Sequence, residues 1–97
     1  MKAIWNNQVI AESDETIVIE RNHYFPLTSV NKVNLKANSH TTDCPWKGTA
    51  HYYDVVVDNE VNQNAAWYYQ APKDGANEKV GKDFTNHIAF WNGVIVE

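Results

Sequence analysis

The sequence predicts a single small, mainly antiparallel β-domain with one or two short helical turns. Its 97 residues suit one domain spanning residues 1–97, since a second core would not fit within this length. Short β-branched runs alternate with pairs of Asn, Asp and Gly, which favour tight hairpin turns. Four Trp, five Tyr and three Phe supply the large side chains with which a small β-domain fills a thin core.

The first half of the chain is predicted to contain short strands joined by polar turns. Asn6-Asn7 favours a hairpin, because Asn tolerates the positive φ of a tight turn. The β-branched run that follows indicates a strand whose Ile17 and Ile19 face the core. The elements of this half are strands at 3–5, 8–12, 16–21 and 32–36, a helical turn at 27–31 and a polar loop at 38–47.

The second half is predicted to contain longer strands and to end in a hairpin. Asn92-Gly93 is the clearest turn signal in the chain, because Asn-Gly is the preferred pair for a type I′ turn. Both chain ends carry a Trp-Asn-Asn/Gly pattern, so we expect Trp5 and Trp91 to lie near each other. The elements are strands at 49–57 and 61–69, a turn at 58–59, a loop at 71–83 with at most a short helix at 76–80, and a hairpin of 87–91 with 94–96.

The charge of the chain and its lack of apolar runs exclude several classes of partner. Eight Lys and Arg against twelve Asp and Glu give a net charge of −4, which argues against nucleic acid, because neutralising phosphates needs a basic face. No apolar run approaches the ~20 residues of a membrane span, so no membrane partner is expected. The chain start leads into a strand pattern rather than a signal peptide, and we predict a cytoplasmic location.

The segment His40–Gly48 concentrates the unusual chemistry of the chain. It holds the only cysteine, so no internal disulfide or Cys-rich zinc site can form. Cys44 and His40 are the candidate catalytic residues, as a thiol and its base; the alternatives are a small buried thiol and a loop-ordering histidine. Together with His51 they could bind zinc with an open fourth position, which is a further alternative. Three donors are too few for a closed structural zinc site, and we predict no metal and no cofactor.

A ligand pocket is predicted between this segment and the strand that carries Trp67. A turn held by a proline and a glycine would present backbone amides, a lysine ammonium and threonine hydroxyls beside an indole wall. Core packing is the alternative for Tyr52 and Trp67, and a solvated surface position is the alternative for Lys47. The candidate ligand-binding residues are Thr41, Thr42, Cys44, Trp46, Lys47, Gly48, Tyr52, Trp67 and Tyr69.

The same segment resembles the signature of a known family. Residues 40–52 are similar to the pattern His-Thr/Ser-x-x-Cys-Pro-Tyr/Trp-Lys-Gly-x-Ala-x-Tyr of the bacterial domain of unknown function 427. The resemblance covers nearly the whole chain. Further similar blocks are Ile19-Glu20, Tyr24-Phe25-Pro26, Asn64-Ala65-Ala66-Trp67-Tyr68-Tyr69 with Pro72, and Ile88-Ala89-Phe90-Trp91.

The resemblance implies a compact, mainly antiparallel β-domain with a complex sheet or open-barrel topology, likened to the Mss4-like folds. The family is also labelled a nucleotidyltransferase-type domain. Against that activity, the sequence shows neither a Gly-rich phosphate loop nor the paired strand carboxylates of a two-metal phosphoryl-transfer site.

Three functions are compatible with the sequence. The leading interpretation is a domain that binds an unidentified small polar or aromatic molecule, or a peptide, at the His40–Gly48 segment. The first alternative is an enzyme, either of the nucleotidyltransferase type that the family label suggests or dependent on Cys44. The second alternative is a protein-interaction module, which needs an exposed aromatic patch of several hundred Å².

Overall fold

The computed structural model describes all of residues 1–97 and contains three antiparallel sheets. The first sheet joins the two ends of the chain. Strands β1 (Lys2–Trp5) and β2 (Gln8–Glu12) form a hairpin, in which Asn6 and Asn7 adopt the predicted positive φ, at 51° and 62°. Strand β9 (Ile95–Val96) pairs with the other edge of β1, so the strand order is β2-β1-β9.

The second sheet is a hairpin of strands β3 (Ile17–Ile19) and β4 (Asn22–Tyr24). As predicted, both isoleucines at the ends of β3 are buried. The strand ends earlier than predicted, because Glu20 and Arg21 form the turn with φ of 51° and 71°. This turn aims the Glu20 side chain at the third sheet, where the candidate site lies.

The third sheet is the largest. Its strands, in the order β5-β6-β7-β8, are β5 (Leu35–Cys44), β6 (Gly48–Val57), β7 (Glu60–Tyr69) and β8 (Ile88–Phe90). The only α-helix, α1 (Ala76–Val80), lies in the connection between β7 and β8, as predicted. No helix of the structure has the length and apolar character needed to cross a bilayer. The prediction of a mainly antiparallel β-domain is confirmed, with open sheets rather than a closed barrel.

The predicted polar loop at 38–47 is wrong. Residues 38–44 belong to β5, and only 45–47 form a turn before β6. The reason is that β5 lies at an edge of the sheet with most of its side chains exposed. The strand therefore lacks the apolar alternation by which a half-buried strand is recognised in a sequence.

The chain before β5 also differs from expectation at one point. The helical turn predicted after Pro26 is confirmed as a short 3₁₀ helix, Leu27–Ser29. A second 3₁₀ helix, Lys32–Asn34, replaces the first half of the strand predicted at 32–36. Val33, expected to be half-buried, is 80% exposed, because the 3₁₀ backbone turns it outward.

The predicted C-terminal hairpin is wrong, although its turn forms. Asn92 and Gly93 have the expected positive φ, at 54° and 91°. The strands on either side nevertheless pair with different sheets, β8 with β7 and β9 with β1. The backbone N–H of Trp91 donates to Ala65 O (3.0 Å), which holds the turn against the third sheet, and Trp5 lies beside the turn at Gly93.

Two apolar cores pack on opposite faces of the third sheet. Neighbours along a strand, such as Tyr52 and Tyr53, point to opposite faces and contact different cores. The terminal core, which includes residues from β1 and β2, consists of Ala3, Ile10, Ala11, Phe25, Val30, Val55, Val57, Ala65, Ala66, Ile88 and Phe90. The aromatic core consists of Ile17, Ile19, Tyr24, Ala50, Tyr69, Ala76, Phe84 and Ala89, with Cys44, Trp46, Tyr52, Trp67 and Val80 at its margin.

Candidate functional site

A hollow of about 220 Å³ opens at the margin of the aromatic core, and we call it the aromatic cleft. It is lined by Lys47, Tyr52, Trp67, Tyr69 and Trp91. Three of these side chains share one face of the sheet, because Tyr52 pairs with Trp67 and Ala50 pairs with Tyr69 in the antiparallel register of β6 and β7. The cleft therefore follows from strand register rather than from a mobile loop.

Lys47 is the one charged residue that lines the cleft, and it is buried, with only 7% of its surface exposed. The ammonium forms an ion pair with Glu20, whose side chain is 55% exposed. The sequence alternative of a solvated surface lysine is therefore wrong. Glu20 was not among the predicted site residues, since its role depends on a turn that the sequence pattern did not show.

The turn that carries Lys47 is fixed from outside by residue 73. Lys73 N donates to Lys47 O (2.9 Å), and Lys73 Nζ donates to Pro45 O (2.9 Å). Gly48, at φ 112°, approaches this segment so closely that an added Cβ would lie 3.2 Å from Lys73 N. A side chain at position 48 would be strained and crowded, so the glycine is required for the turn to dock.

The ionisable groups around Lys47 perturb one another. Burial lowers the pKa of Lys47, but the hydrogen bond to Glu20 and the nearby Tyr24 and Tyr69 outweigh it, so the pKa is raised above its ordinary value. Burial, reinforced by Tyr24, raises the pKa of Tyr69 to about 12, although Lys47 opposes this. Burial also raises the pKa of Tyr24. The cleft therefore presents a cationic lysine beside neutral phenols.

The aromatic walls are held by hydrogen bonds at their polar ends. Trp67 Nε1 donates to the hydroxyl of the buried Tyr24 (3.0 Å), and the two rings meet edge to face at 6.0 Å. Trp91 Nε1 donates to Asn64 O (2.6 Å), while half of the Trp91 side chain remains exposed. Trp91 packs edge to face on Trp67 at 6.5 Å. Both indoles are thus oriented before any ligand arrives.

The structure brings four of the nine predicted ligand-binding residues to this cleft: Lys47, Tyr52, Trp67 and Tyr69. Sequence reasoning missed Trp91 as a fifth, because it placed that residue in a terminal hairpin. The sequence signal that could have found it is an aromatic residue between the apolar run 88–90 and the Asn92-Gly93 turn. Trp67 was predicted either to bind a ligand or to pack in the core, and it does part of each: it packs against the aromatic core and also lines the cleft.

The other predicted ligand-binding residues lie outside the aromatic cleft. Thr42 is exposed, and its hydroxyl lies 3.1 Å from that of Tyr52. Cys44 and Gly48 line a different hollow, near Lys73. Thr41 lines a polar hollow farther along the sheet, and Trp46 packs its ring against Lys79 Nζ at 4.6 Å.

The candidate catalytic pair is not brought together. His40 and Cys44 lie four residues apart on extended β5, which separates them by roughly 13 Å. The His40 ring packs on Tyr52 instead, with ring centroids 4.6 Å apart. No three His, Cys, Asp or Glu side chains are grouped so that they could hold a metal ion. Cys44 packs beside the aromatic core.

Comparison with known families agrees with the motif. The family model NTP_transf_9, described as a domain of unknown function (DUF427), matches residues 1–97. None of the curated proteins matches the chain. Because the family model covers the full length, the chain belongs to the DUF427 family.

Proposed function

We propose that this DUF427 domain binds a small planar aromatic molecule that carries an anionic group, and that the aromatic cleft is the site. One observation carries the proposal: four aromatic side chains and one buried ammonium surround a hollow of about 220 Å³. Small-molecule sites combine mainly apolar walls with a few placed polar groups. A hollow of this size suits a single ring system better than a peptide.

The walls favour an aromatic ligand because they are rigid. Trp67 and Trp91 are each fixed by a hydrogen bond from the indole N–H, so little side-chain entropy is lost when a ring packs against them. An added aromatic pair contributes about 0.5–1.5 kcal/mol beyond the buried area. Trp91, half exposed at the mouth, supplies a face that a ligand ring can cover.

The charge in the cleft favours an anion over a cation. Aromatic cages commonly bind quaternary ammonium groups through the negative faces of their rings. Here Lys47 Nζ already lies 5.5 Å from the ring centroid of Tyr69, so a second cation would meet like charge. A carboxylate would instead find a buried ammonium, together with the neutral phenol of Tyr69 as a hydrogen-bond donor.

Glu20 is the competitor of such an anion. Its carboxylate holds Lys47, yet more than half of its side chain is exposed, so it can leave the ammonium and return to water at low cost. An incoming carboxylate would take its place without leaving a charge buried and unpaired. The affinity for an anionic ligand should therefore rise when Glu20 is neutralised.

The alternatives have less support. An interaction module needs a flat exposed aromatic patch, whereas Trp91 is the only exposed side chain of the four aromatic residues here, the others being half-buried or buried. Nucleotidyl transfer and thiol chemistry need grouped carboxylates or an activated thiol, and in this fold His40 lies far along the strand from Cys44.

Isothermal titration with indole-3-acetate and 4-hydroxybenzoate, with tetramethylammonium as the cationic comparison, tests the proposal. We expect dissociation constants on the order of 1 mM or below for the aromatic carboxylates and no binding of the cation. Trp91→Ala should weaken carboxylate binding at least about fivefold, which corresponds to the loss of one aromatic contact. Ile95→Ala removes an equally exposed apolar side chain away from the cleft and should leave binding unchanged.

Two further variants distinguish the contribution of the ligand's anionic group to binding from that of its ring. Glu20→Gln should strengthen binding of the carboxylates, whereas Lys47→Met should remove their advantage over the corresponding neutral amides. The proposal is refuted if no aromatic carboxylate binds, or if Trp91→Ala and Ile95→Ala weaken binding equally.

A further inference from the structure

A second hollow, which we call the polar cleft, lies on the third sheet and has a volume of about 420 Å³. Residues 38–41 of β5 line one side, Asp54 of β6 lines the floor, and Gln63 and Asn64 of β7 line the other side. None of these residues is hydrophobic. This composition differs sharply from that of the aromatic cleft.

Irregular pairing on three adjacent strands creates the polar cleft. The register of β5 with β6 shifts between Ala37 and Thr41, and that of β6 with β7 shifts between Tyr53 and Val55. Asn64 adopts a left-handed conformation at φ 57°. Bulges are over-represented beside functional sites because they re-aim side chains. Irregularities at the same level on neighbouring strands concentrate polar side chains at one place.

A hydrogen-bonded triad fixes the floor of the polar cleft. Asn38 Nδ2 donates to Asp54 Oδ1 (2.7 Å) and to Asn64 Oδ1 (2.9 Å), and Asn64 N donates to the same Asp54 oxygen (3.0 Å). All three residues are half-buried. Asp54 Oδ2 and Asn64 Nδ2 are left as an acceptor and a donor without a partner in the chain, so the triad is ordered and still able to bind.

The two clefts adjoin. Tyr52 and Asp54 alternate with Tyr53 along β6 and so share a face of the sheet, about 7 Å apart. Tyr52 lines the aromatic cleft and packs on His40, which lines the polar cleft. At the opposite wall, Trp91 of the aromatic cleft is hydrogen-bonded to Asn64 of the polar cleft. The two hollows therefore adjoin on both sides, although no residue lines both.

We infer that the polar cleft is a second subsite for a polyhydroxylated group, such as a sugar ring, joined to the aromatic group that the first cleft binds. This inference rests on the proposed function and specifies its ligand as an aromatic glycoside-like molecule. Carboxamides, hydroxyls and one carboxylate supply both donors and acceptors, as vicinal hydroxyl groups require.

Other ligands fit the polar cleft less well. A phosphate would meet the Asp54 carboxylate and no lysine or arginine among the lining residues. An apolar group would desolvate seven polar residues without replacing their hydrogen bonds. A divalent cation would find one carboxylate, while Oδ1 of Asn64 is already engaged by Asn38.

The test compares three probes by titration and by the amide NMR signals of the two clefts. The probes are 4-hydroxybenzoate, methyl β-D-glucoside, and the conjugate 4-carboxyphenyl β-D-glucoside. The conjugate should bind at least about tenfold more tightly than 4-hydroxybenzoate and should shift the side-chain amides of Asn38 and Asn64. Asp54→Asn keeps the shape of the residue and should remove most of this gain while leaving 4-hydroxybenzoate binding unchanged. Asp14→Asn, an exposed carboxylate in a distant turn, is the matched control.

Each outcome decides between the two sites. If 4-hydroxybenzoate binds but the conjugate binds no more tightly, the second subsite is wrong and the proposed function stands. If neither indole-3-acetate nor 4-hydroxybenzoate binds, the proposed function fails, and so does the inference unless either glucoside shifts the Asn38 and Asn64 amides. If Asp54→Asn leaves the tenfold gain intact, the sugar does not occupy the polar cleft and the inference is refuted.

Discussion

Tyr24 and Phe25 are consecutive, both are fully buried, and they point into different cores. Phe25 lies in the terminal core, where it packs on Phe90 with ring centroids 5.6 Å apart and has no polar atom to satisfy. The Tyr24 hydroxyl lies in the aromatic core, accepting a hydrogen bond from Trp67 beside the Lys47 ammonium.

This difference shows that the two faces of the third sheet have different roles. The terminal core holds mostly Ala, Val and Ile, which need only close packing. The aromatic core contains two buried phenols and has indoles at its margin; the polar ends of these groups must find partners, and the margin opens into the aromatic cleft. Stability should therefore depend most on the first core, and ligand chemistry on the second.

The largest expected effect is at Phe25. Truncation of this fully buried ring by Phe25→Ala should lower the free energy of unfolding by about 3–5 kcal/mol, through lost transfer energy and a residual cavity. Urea unfolding followed by circular dichroism measures the loss. The protein that remains folded should bind aromatic carboxylates with the wild-type affinity. A weakened ligand affinity would show that the two cores are not independent.

Lys47 provides the next largest effect. Lys47→Ala should destabilise the fold by about 1–3 kcal/mol, since it opens a hole and removes the donor beside two buried phenols. Glu20→Gln should cost less than about 1 kcal/mol, because Glu20 is largely exposed. Urea midpoints of the two variants provide the comparison. Equal losses would mean that the ion pair, rather than the burial of the lysine, carries the energy.

High pH should weaken the aromatic core. The pKa of Tyr69 rises from its ordinary value of 10.0 to about 12, so its contribution to stability is fully present below about pH 10 and is lost as the pH rises to 12. The pKa of Lys47 is also raised, so its contribution to stability is likewise lost as the pH rises above the ordinary lysine value of 10.5. One such group changes the free energy of unfolding by about 1.4 kcal/mol per pH unit.

The check is a series of urea unfolding curves from pH 8 to 12, where ~1.4 kcal/mol per pH unit is the slope for one proton. Tyr69→Phe removes one of the titrating groups and should give a shallower loss, with its own curve at pH 8 as the reference. A wild-type stability that stays constant to pH 12, or an unchanged slope in Tyr69→Phe, would contradict the prediction.

A small effect is expected from removing the hydrogen bond that orients Trp67. Tyr24→Phe leaves Trp67 Nε1 without its acceptor and should cost about 1 kcal/mol, because Trp67 is only half-buried and water can replace part of the bond. The indole N–H signal of Trp67 should move and exchange faster with solvent, while that of Trp91 should not change. A Trp67 signal unaffected by the substitution would rule out this bond.

Local physical chemistry was enough to predict several elements from the sequence. The turn pairs Asn6-Asn7 and Asp58-Asn59 adopt left-handed backbone, so the hairpins that they join could be predicted. The β-branched run at β3 likewise predicted a strand whose Ile17 and Ile19 side chains face the core. Within the site, a proline and a glycine flanking Lys47 predicted a defined turn, and its motif predicted the family.

Tertiary structure decided the rest, because the deciding contacts are distant in sequence. Asn92-Gly93 forms its turn, but whether β9 pairs with β8 or with β1 depends on strands that lie almost the whole chain away. The ion pair of Lys47 joins residues 27 positions apart, and the bond between Trp67 and Tyr24 joins residues 43 positions apart. Strand β5 was missed for a related reason: an edge strand with most side chains in water leaves no apolar period in its own sequence. The aromatic cleft is therefore a product of register between strands, which residue types alone do not specify.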